Sequence, residues 1–183
     1  MKAVLDACVL YPTVLREVLL ATAGAGLFAP LWSARILEEW ARVGARHGPV
    51  GEALSRGEIA AMTHNWPDAS IGIASDPVVA LPDPADRHVV AAALDGGAET
   101  IVTLNLRDFP PRALAPFGLR AEHPDAFLYG LWRQDPGTVA QAAETVRARA
   151  EALSGQAQPM RALLKRAYLP RLGKAVSQMN EAG

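Results

Sequence analysis

Lys2-Ala3-Val4-Leu5-Asp6 is a short apolar run that stops at a carboxylate. An apolar run without polar alternation suits a strand buried on both faces, as in a parallel sheet. The pattern that follows is helical, from about Pro12 through Leu15, Val18, Leu19 and Ala23 to a stop at Gly24 or Gly26. Leu27-Phe28-Ala29-Pro30 reads as a second strand. Ser33 is placed to cap the next helix, in which Ile36, Leu37, Trp40 and Val43 fall at helical spacing. Val78-Val79-Ala80-Leu81 reads as a third strand, and Pro82-Asp83-Pro84 turns the chain into a helix from Asp86 to Leu94 that Gly96-Gly97 closes. Ile101-Val102-Thr103 is a fourth strand and Leu119-Arg120-Ala121 a fifth. Strands alternating with helices predict crossover connections, hence an α/β fold of three layers, α/β/α, around a parallel sheet of four to five strands.

After Glu122 the pattern is helical throughout, over Ala126–Arg133, Thr138–Leu153 and Met160–Tyr168, with Pro159 and Pro170 as breaks. The expected organisation is a domain over residues 1–121 and an all-helical extension over 122–183. Residues 50–67 are weakly helical, and 68–75 carry no clear pattern.

The chain has 183 residues, half of them hydrophobic, enough for one full core. Eighteen basic residues against nineteen acidic ones give a net charge of −1, which argues against coating nucleic acid through bulk charge. The basic patch is local: Pro159 to Lys174 holds Arg161, Lys165, Arg166, Arg171 and Lys174 and no acid. The single cysteine, Cys8, forms no disulfide within the chain and no zinc motif, and reads as a small buried residue. Three apolar residues between Lys2 and Asp6 are too few for a secretory signal, so the cytoplasm is the expected location. The uncharged stretch from Val18 to Ala34 is interrupted by Gly24, Gly26 and Pro30, so no membrane span is expected.

Ligands of parallel sheets bind at the carboxyl ends of the strands, which is where this sequence places its acids. Asp6, Asp86 and Asp108 each follow a strand, and Glu39 sits on the helix after the second. On a wheel of about 100° per residue, Glu39 lies at the edge of the stripe centred near Trp40, whereas Glu38, about 160° away, points to water. Hard divalent cations such as Mg2+ and Mn2+ prefer oxygen ligands, and a carboxylate cluster gains from a dication that relieves its repulsion. Asp6 alone suits a turn, Asp86 alone a helix cap, and Asp108 alone a turn before Phe109-Pro110. Their joint placement is what makes a site. His47, His64, His88 and His123 lack ligand spacing and read as surface or cap residues. Trp32, Trp40, Trp66 and Trp132 read as core or interface anchors. A haloacid dehalogenase-type phosphohydrolase needs a second aspartate where Cys8 stands, and a dinucleotide fold needs a glycine-rich first turn, which is missing.

Four segments together, Leu5-Asp6-Ala7-Cys8-Val9-Leu10, the Ser33 to Glu39 spacing, Leu81-Pro82-Asp83-Pro84-Ala85-Asp86-Arg87-His88-Val89 with Ala91-Ala92-Ala93, and Ile101-Val102-Thr103-Leu104-Asn105-Leu106-Arg107-Asp108-Phe109-Pro110, resemble PIN domains. They are especially similar to the VapC-type toxin ribonucleases of prokaryotes, over residues 1 to about 121. The resemblance implies an endoribonuclease dependent on Mg2+ or Mn2+, often dimeric, with an antitoxin that occludes the acidic site. It implies Asp6, Glu39, Asp86 and Asp108 as metal-binding acids, Asn105 to orient water or substrate, and Thr103 as a secondary polar contact. Asp83 is an alternative fourth acid. The implied chemistry is in-line attack by metal-activated water on an RNA phosphodiester. Arg87 and the tail residues Arg161, Lys165 and Arg166 are candidate RNA contacts, although an exposed helical turn and a solvated face also account for them. The rival reading is a PIN-like module that binds RNA or protein without cleaving.

Overall fold

A computed structural model describes residues 1–182, with side chains to residue 179. The elements in chain order are β1 (Lys2–Leu5), α1 (Ala7–Leu10), α2 (Thr13–Gly24), β2 (Ala29–Ser33), α3 (Ala34–Ala45), α4 (Gly48–Asn65), β3 (Ser70–Ile71), α5 (Arg87–Gly96), β4 (Thr100–Val102), α6 (Pro111–Leu114), β5 (Arg120–Glu122), α7 (Pro124–Gln134), α8 (Pro136–Ser154), α9 (Met160–Arg166) and α10 (Pro170–Ala182). They divide into two compact units, Met1–Tyr11 with Ala29–Glu122, and Pro12–Phe28 with the chain from His123 onward.

The first unit is built on a parallel five-stranded sheet in the order β3-β2-β1-β4-β5. Ala3, Val4 and Leu5 of β1 and Thr100, Ile101 and Val102 of β4 are all fully buried, as expected where apolar or small residues replace strict alternation in central parallel strands. Helix α5 packs on β1, β2 and β4 through a face rich in valine and alanine, and ends at Gly97, whose φ of +63° is the left-handed closure that glycine favours.

Two strands differ from expectation. The second begins at Ala29, whose N–H donates to Met1 O, because Leu27 and Phe28 finish the turn after α2: Leu27 N–H reaches back to Thr22 O. No strand forms over Val78–Leu81. There the chain alternates, with Val79 and Leu81 buried and Val78 94 % exposed, yet joins no ladder. Pro77 and Pro82 lack the N–H a ladder needs, and side chains hold the segment instead: Asp95 Oδ2 accepts from Ala74 N and Ser75 N at 2.7 and 2.8 Å, and Arg87 Nε donates to Val79 O at 3.1 Å. The third strand is the two-residue β3, which pairs with Trp32 and Ser33.

In the second unit, α2 packs with α8, and α7 and α9 pack with α10. Pro170 marks the expected break after α9 and starts α10, and Asp125 accepts from Arg171 N and Leu172 N, both at 3.0 Å. Among the described residues, no helix is long and apolar enough to cross a membrane.

The helix that carries Glu39 is braced by close backbone approach. A Cβ on Gly51 of α4 would lie 2.6 Å from Gly44 O of α3 and 2.8 Å from His47 Cβ. Overpacking here should outweigh alanine's helix preference, so Gly51→Ala is expected to lose about 1 to 2 kcal/mol, read as a lower melting temperature. Gly57→Ala, on the same helix with nothing within 4 Å of its Cβ, is expected to gain about 0.5 to 1 kcal/mol. Equal melting of the two variants would contradict this packing.

Candidate active site

Asp6 leaves β1 with its backbone N–H still on the ladder, donating to Val102 O at 3.1 Å, and its side chain caps α1 through Oδ1, which accepts from Ala7 N at 2.7 Å. Its other oxygen accepts from Thr103 Oγ1 at 2.7 Å and from the Cys8 thiol at 3.1 Å. Thr103 Oγ1 also accepts from Asn105 N, and Cys8 Sγ from Leu104 N at 3.2 Å. The ends of β1 and β4 are thus tied side chain to side chain. Burial and then the Asp6 charge push the Cys8 thiol up to about 12, so it remains protonated and able to donate. Cys8 is therefore a half-buried polar tie rather than an apolar filler.

Asp86 closes a helical turn, Pro84–Asp86, that leads into α5. Its side chain makes no capping hydrogen bond, whereas Asp83 caps that turn, Oδ1 accepting from Ala85 N at 2.8 Å. Capping therefore does not account for Asp86. Its carboxyl is pushed up to about 6, first by burial and then by the charges of Asp108, Asp6, Asp83 and Glu39 in that order. Every acid singled out from the sequence acts on this one group.

Glu38 and Glu39 diverge. Glu38 turns to Arg56, with two contacts at 3.1 and 3.3 Å that hold its carboxyl below the usual range. Glu39 Oε1 lies 2.8 Å from His88 Nε2, off the line of the ring N–H, and 3.8 Å from Arg35 Nε. His88 is buried at the start of α5, so its expected surface role is corrected. Sequence gave no signal for this residue beyond its place two after Asp86. Asp108 ends the turn Leu106–Asp108 and is half-buried, and Asn105 is exposed; both line a concavity of about 400 Å3. Arg161, Lys165 and Arg166 are exposed on α9 of the second unit, where Arg166 donates to Gln158 Oε1 at 2.9 Å.

Among the described residues, no three His, Cys, Asp or Glu side chains form a ready-made cage for a metal. The donor set still suits a hard cation. It is oxygen alone, and Mg2+ in particular keeps several waters and needs only one or two carboxylates beside its substrate.

A five-stranded parallel sheet, with Asp6 directly after its central strand and four acids acting on Asp86, defines a small α/β domain. The PIN domain pattern matches residues 2–107, more than half of the chain, and the chain belongs to the PIN domain family. It is similar to VapC50 of Mycobacterium tuberculosis, a protein named as a ribonuclease, with 58 % identity over 43 residues. That similarity spans 24 % of this chain and 25 % of the relative's length. No solved structure matches.

Because the folded protein favours the protonated Asp86, this group stabilises below about pH 4 and the stabilisation is lost as pH rises through about 6. At pH 7 in EDTA, Asp86→Asn is therefore expected to melt higher than wild type, by about 1 kcal/mol after allowance for solvent screening, or a few degrees. The gap should close at pH 4. A gap that stays constant from pH 4 to pH 8 in thermal melts would contradict the crowding of charge.

Proposed function

We propose that this protein is a divalent-metal-dependent endoribonuclease, the toxin of a toxin–antitoxin pair, acting through Asp6, Glu39, Asp86 and Asp108. The observation that carries the reading is the gathering of Asp108, Asp6, Asp83 and Glu39 about Asp86, whose carboxyl is raised first by burial and then by their charges. Family membership and the name of the partial relative support it.

In this reading Asp6, Glu39, Asp86 and Asp108 hold Mg2+ or Mn2+, with Asp83 as a secondary acid already engaged in its turn. The cation supplies a Lewis acid that activates water and offsets phosphate charge. The chain's own residues prepare the site. Thr103 and Cys8 fix one oxygen of Asp6, the cap on Ala7 N fixes the other, and the carboxylate is held against rotation. Helix α3 presents Glu39 beside His88, and the Asn105 side-chain amide is free to orient substrate. Hydrolysis joins a water oxygen to phosphorus, breaks the bond from phosphorus to O3′ and passes a proton to O3′, leaving a 5′-phosphate and a 3′-hydroxyl.

The proposal extends to a cognate antitoxin, a homodimer, a cytoplasmic location and a helical extension over 122–183. Val50 and Leu54, 72 % and 65 % exposed on α4, support a protein partner. The alternative, a PIN-like module that binds RNA or protein without cleavage, is favoured by the lack of a three-ligand cage among the described residues. Against it, a binding module gains nothing from crowding carboxylates around Asp86.

The experiment is cleavage of a mixed RNA pool with Mg2+, with Mn2+ and with EDTA. Wild type is expected to cleave only with metal, Asp6→Asn and Asp86→Asn to lose about 100-fold or more while remaining folded, and Glu38→Gln to match wild type within about twofold. Full activity in Asp6→Asn would overturn the site, and a large loss in Glu38→Gln would move it to the other face of α3.

A further inference from the structure

RNA approaching an acidic cluster is repelled, and a chain of net charge −1 has no excess of cations to offset this. A basic side chain beside the acids would help hold the phosphates next to the one the metal meets, and the arginines near the acids are unequally available. Arg35 Nη2 donates to Ala85 O at 3.1 Å and its Nε stands 3.8 Å from Glu39, while Arg87 Nε is committed to Val79 O at 3.1 Å. Arg107 is exposed and, among the described residues, has neither a hydrogen bond nor an ion pair. It stands one residue before Asp108.

Arg107 also lines a cavity. Leu104, Asn105, Leu106, Arg107 and Asp108 line an open concavity of about 400 Å3, within the range of about 300 to 1,000 Å3 typical of small-ligand sites. The loop is anchored from beneath, with Leu104 N on Cys8 Sγ and Asn105 N on Thr103 Oγ1, the two groups that hold Asp6. Its remaining side chains differ in the chemistry they offer a nucleotide. A free guanidinium binds phosphate in bidentate fashion, an amide matches the hydrogen-bonding edge of a base, and Leu106, 42 % exposed, offers an apolar floor.

The geometry points to the loop Leu104–Asp108 as the subsite for the nucleotide adjoining the scissile phosphate of single-stranded RNA, with Arg107 on its phosphate, Asn105 on its base edge and Leu106 under the base. This rests on the ribonuclease reading above and assigns the substrate contact to Arg107 rather than Arg87. The lining holds no aromatic ring, so the base is held by its edge more than by stacking.

The test is steady-state cleavage of a single-stranded RNA over a series of KCl concentrations by wild type, Arg107→Ala, Arg107→Lys and Arg112→Ala, the last being an exposed arginine on α6 outside the loop. Arg107→Ala is expected to raise KM about tenfold with kcat within about twofold, and to lower the slope of log(1/KM) against log[salt] by about one unit. Arg107→Lys should keep most of that slope, and Arg112→Ala should match wild type. Asn105→Ala should redistribute cuts among the sequences of a mixed pool, whereas Arg107→Ala weakens all of them alike. If wild type cleaves RNA while Arg107→Ala shows the same KM and slope, the subsite is wrong and the ribonuclease reading stands. A fall in kcat at unchanged KM places Arg107 in the chemistry and also overturns the subsite. Wild type that cuts no RNA overturns both.

Discussion

Mutual repulsion among the carboxylates at one edge of the parallel sheet is the constraint the rest of the site answers. Burial takes Asp86 partly out of water and four neighbouring acids add their charge, so its carboxyl is pushed up to about 6. Such a cluster persists in a folded protein only where other interactions hold its members in place. Asp6 is held by three donors, from Ala7 N, Thr103 and Cys8. Asp83 is fixed by its turn, and Glu39 rides on a helix whose approach to α4 depends on glycine at positions 44 and 51.

Those supports connect distant parts of the chain. Cys8 reaches Thr103 across 95 positions at 3.3 Å, and the parallel pairing of β1 with β4 is what brings them together. Family membership places these residues in a PIN domain over 2–107, and the functional reading combines that membership with the charge cluster.

Local signals were legible in the sequence where they were strong. The apolar run Lys2–Leu5, the capping serine before α3, whose Oγ accepts from Ile36 N at 3.3 Å, and the glycine stop after α5 all stand where the residues suggested. The apolar alternation at Val78–Leu81 indicates extended backbone but says nothing of a partner strand, and prolines on both sides deny it one. Pro170 reads equally as the end of one helix or the first turn of the next, and the acceptors on Asp125 that decide between them lie 46 and 47 positions away. Within the candidate site, Asp6 was readable as the residue directly after β1, whereas Asp86 follows a segment that joins no sheet and Glu39 rides on a helix. The contact of His88 with Glu39 and the polar tie of Cys8 were not readable, since the first depends on which helix faces which and the second on which strands pair, facts a single sequence does not carry.

The most direct test of the account is a carbon-13 NMR titration of the Asp86 side-chain carboxyl, in metal-free wild type, in Asp108→Asn, and in wild type with Mg2+. The predicted midpoint is near 6 in the metal-free protein, with a downward move on removal of the Asp108 charge and a further one when Mg2+ is added. A midpoint near 3.8 that neither the substitution nor the metal displaces would show that the acids do not share one site.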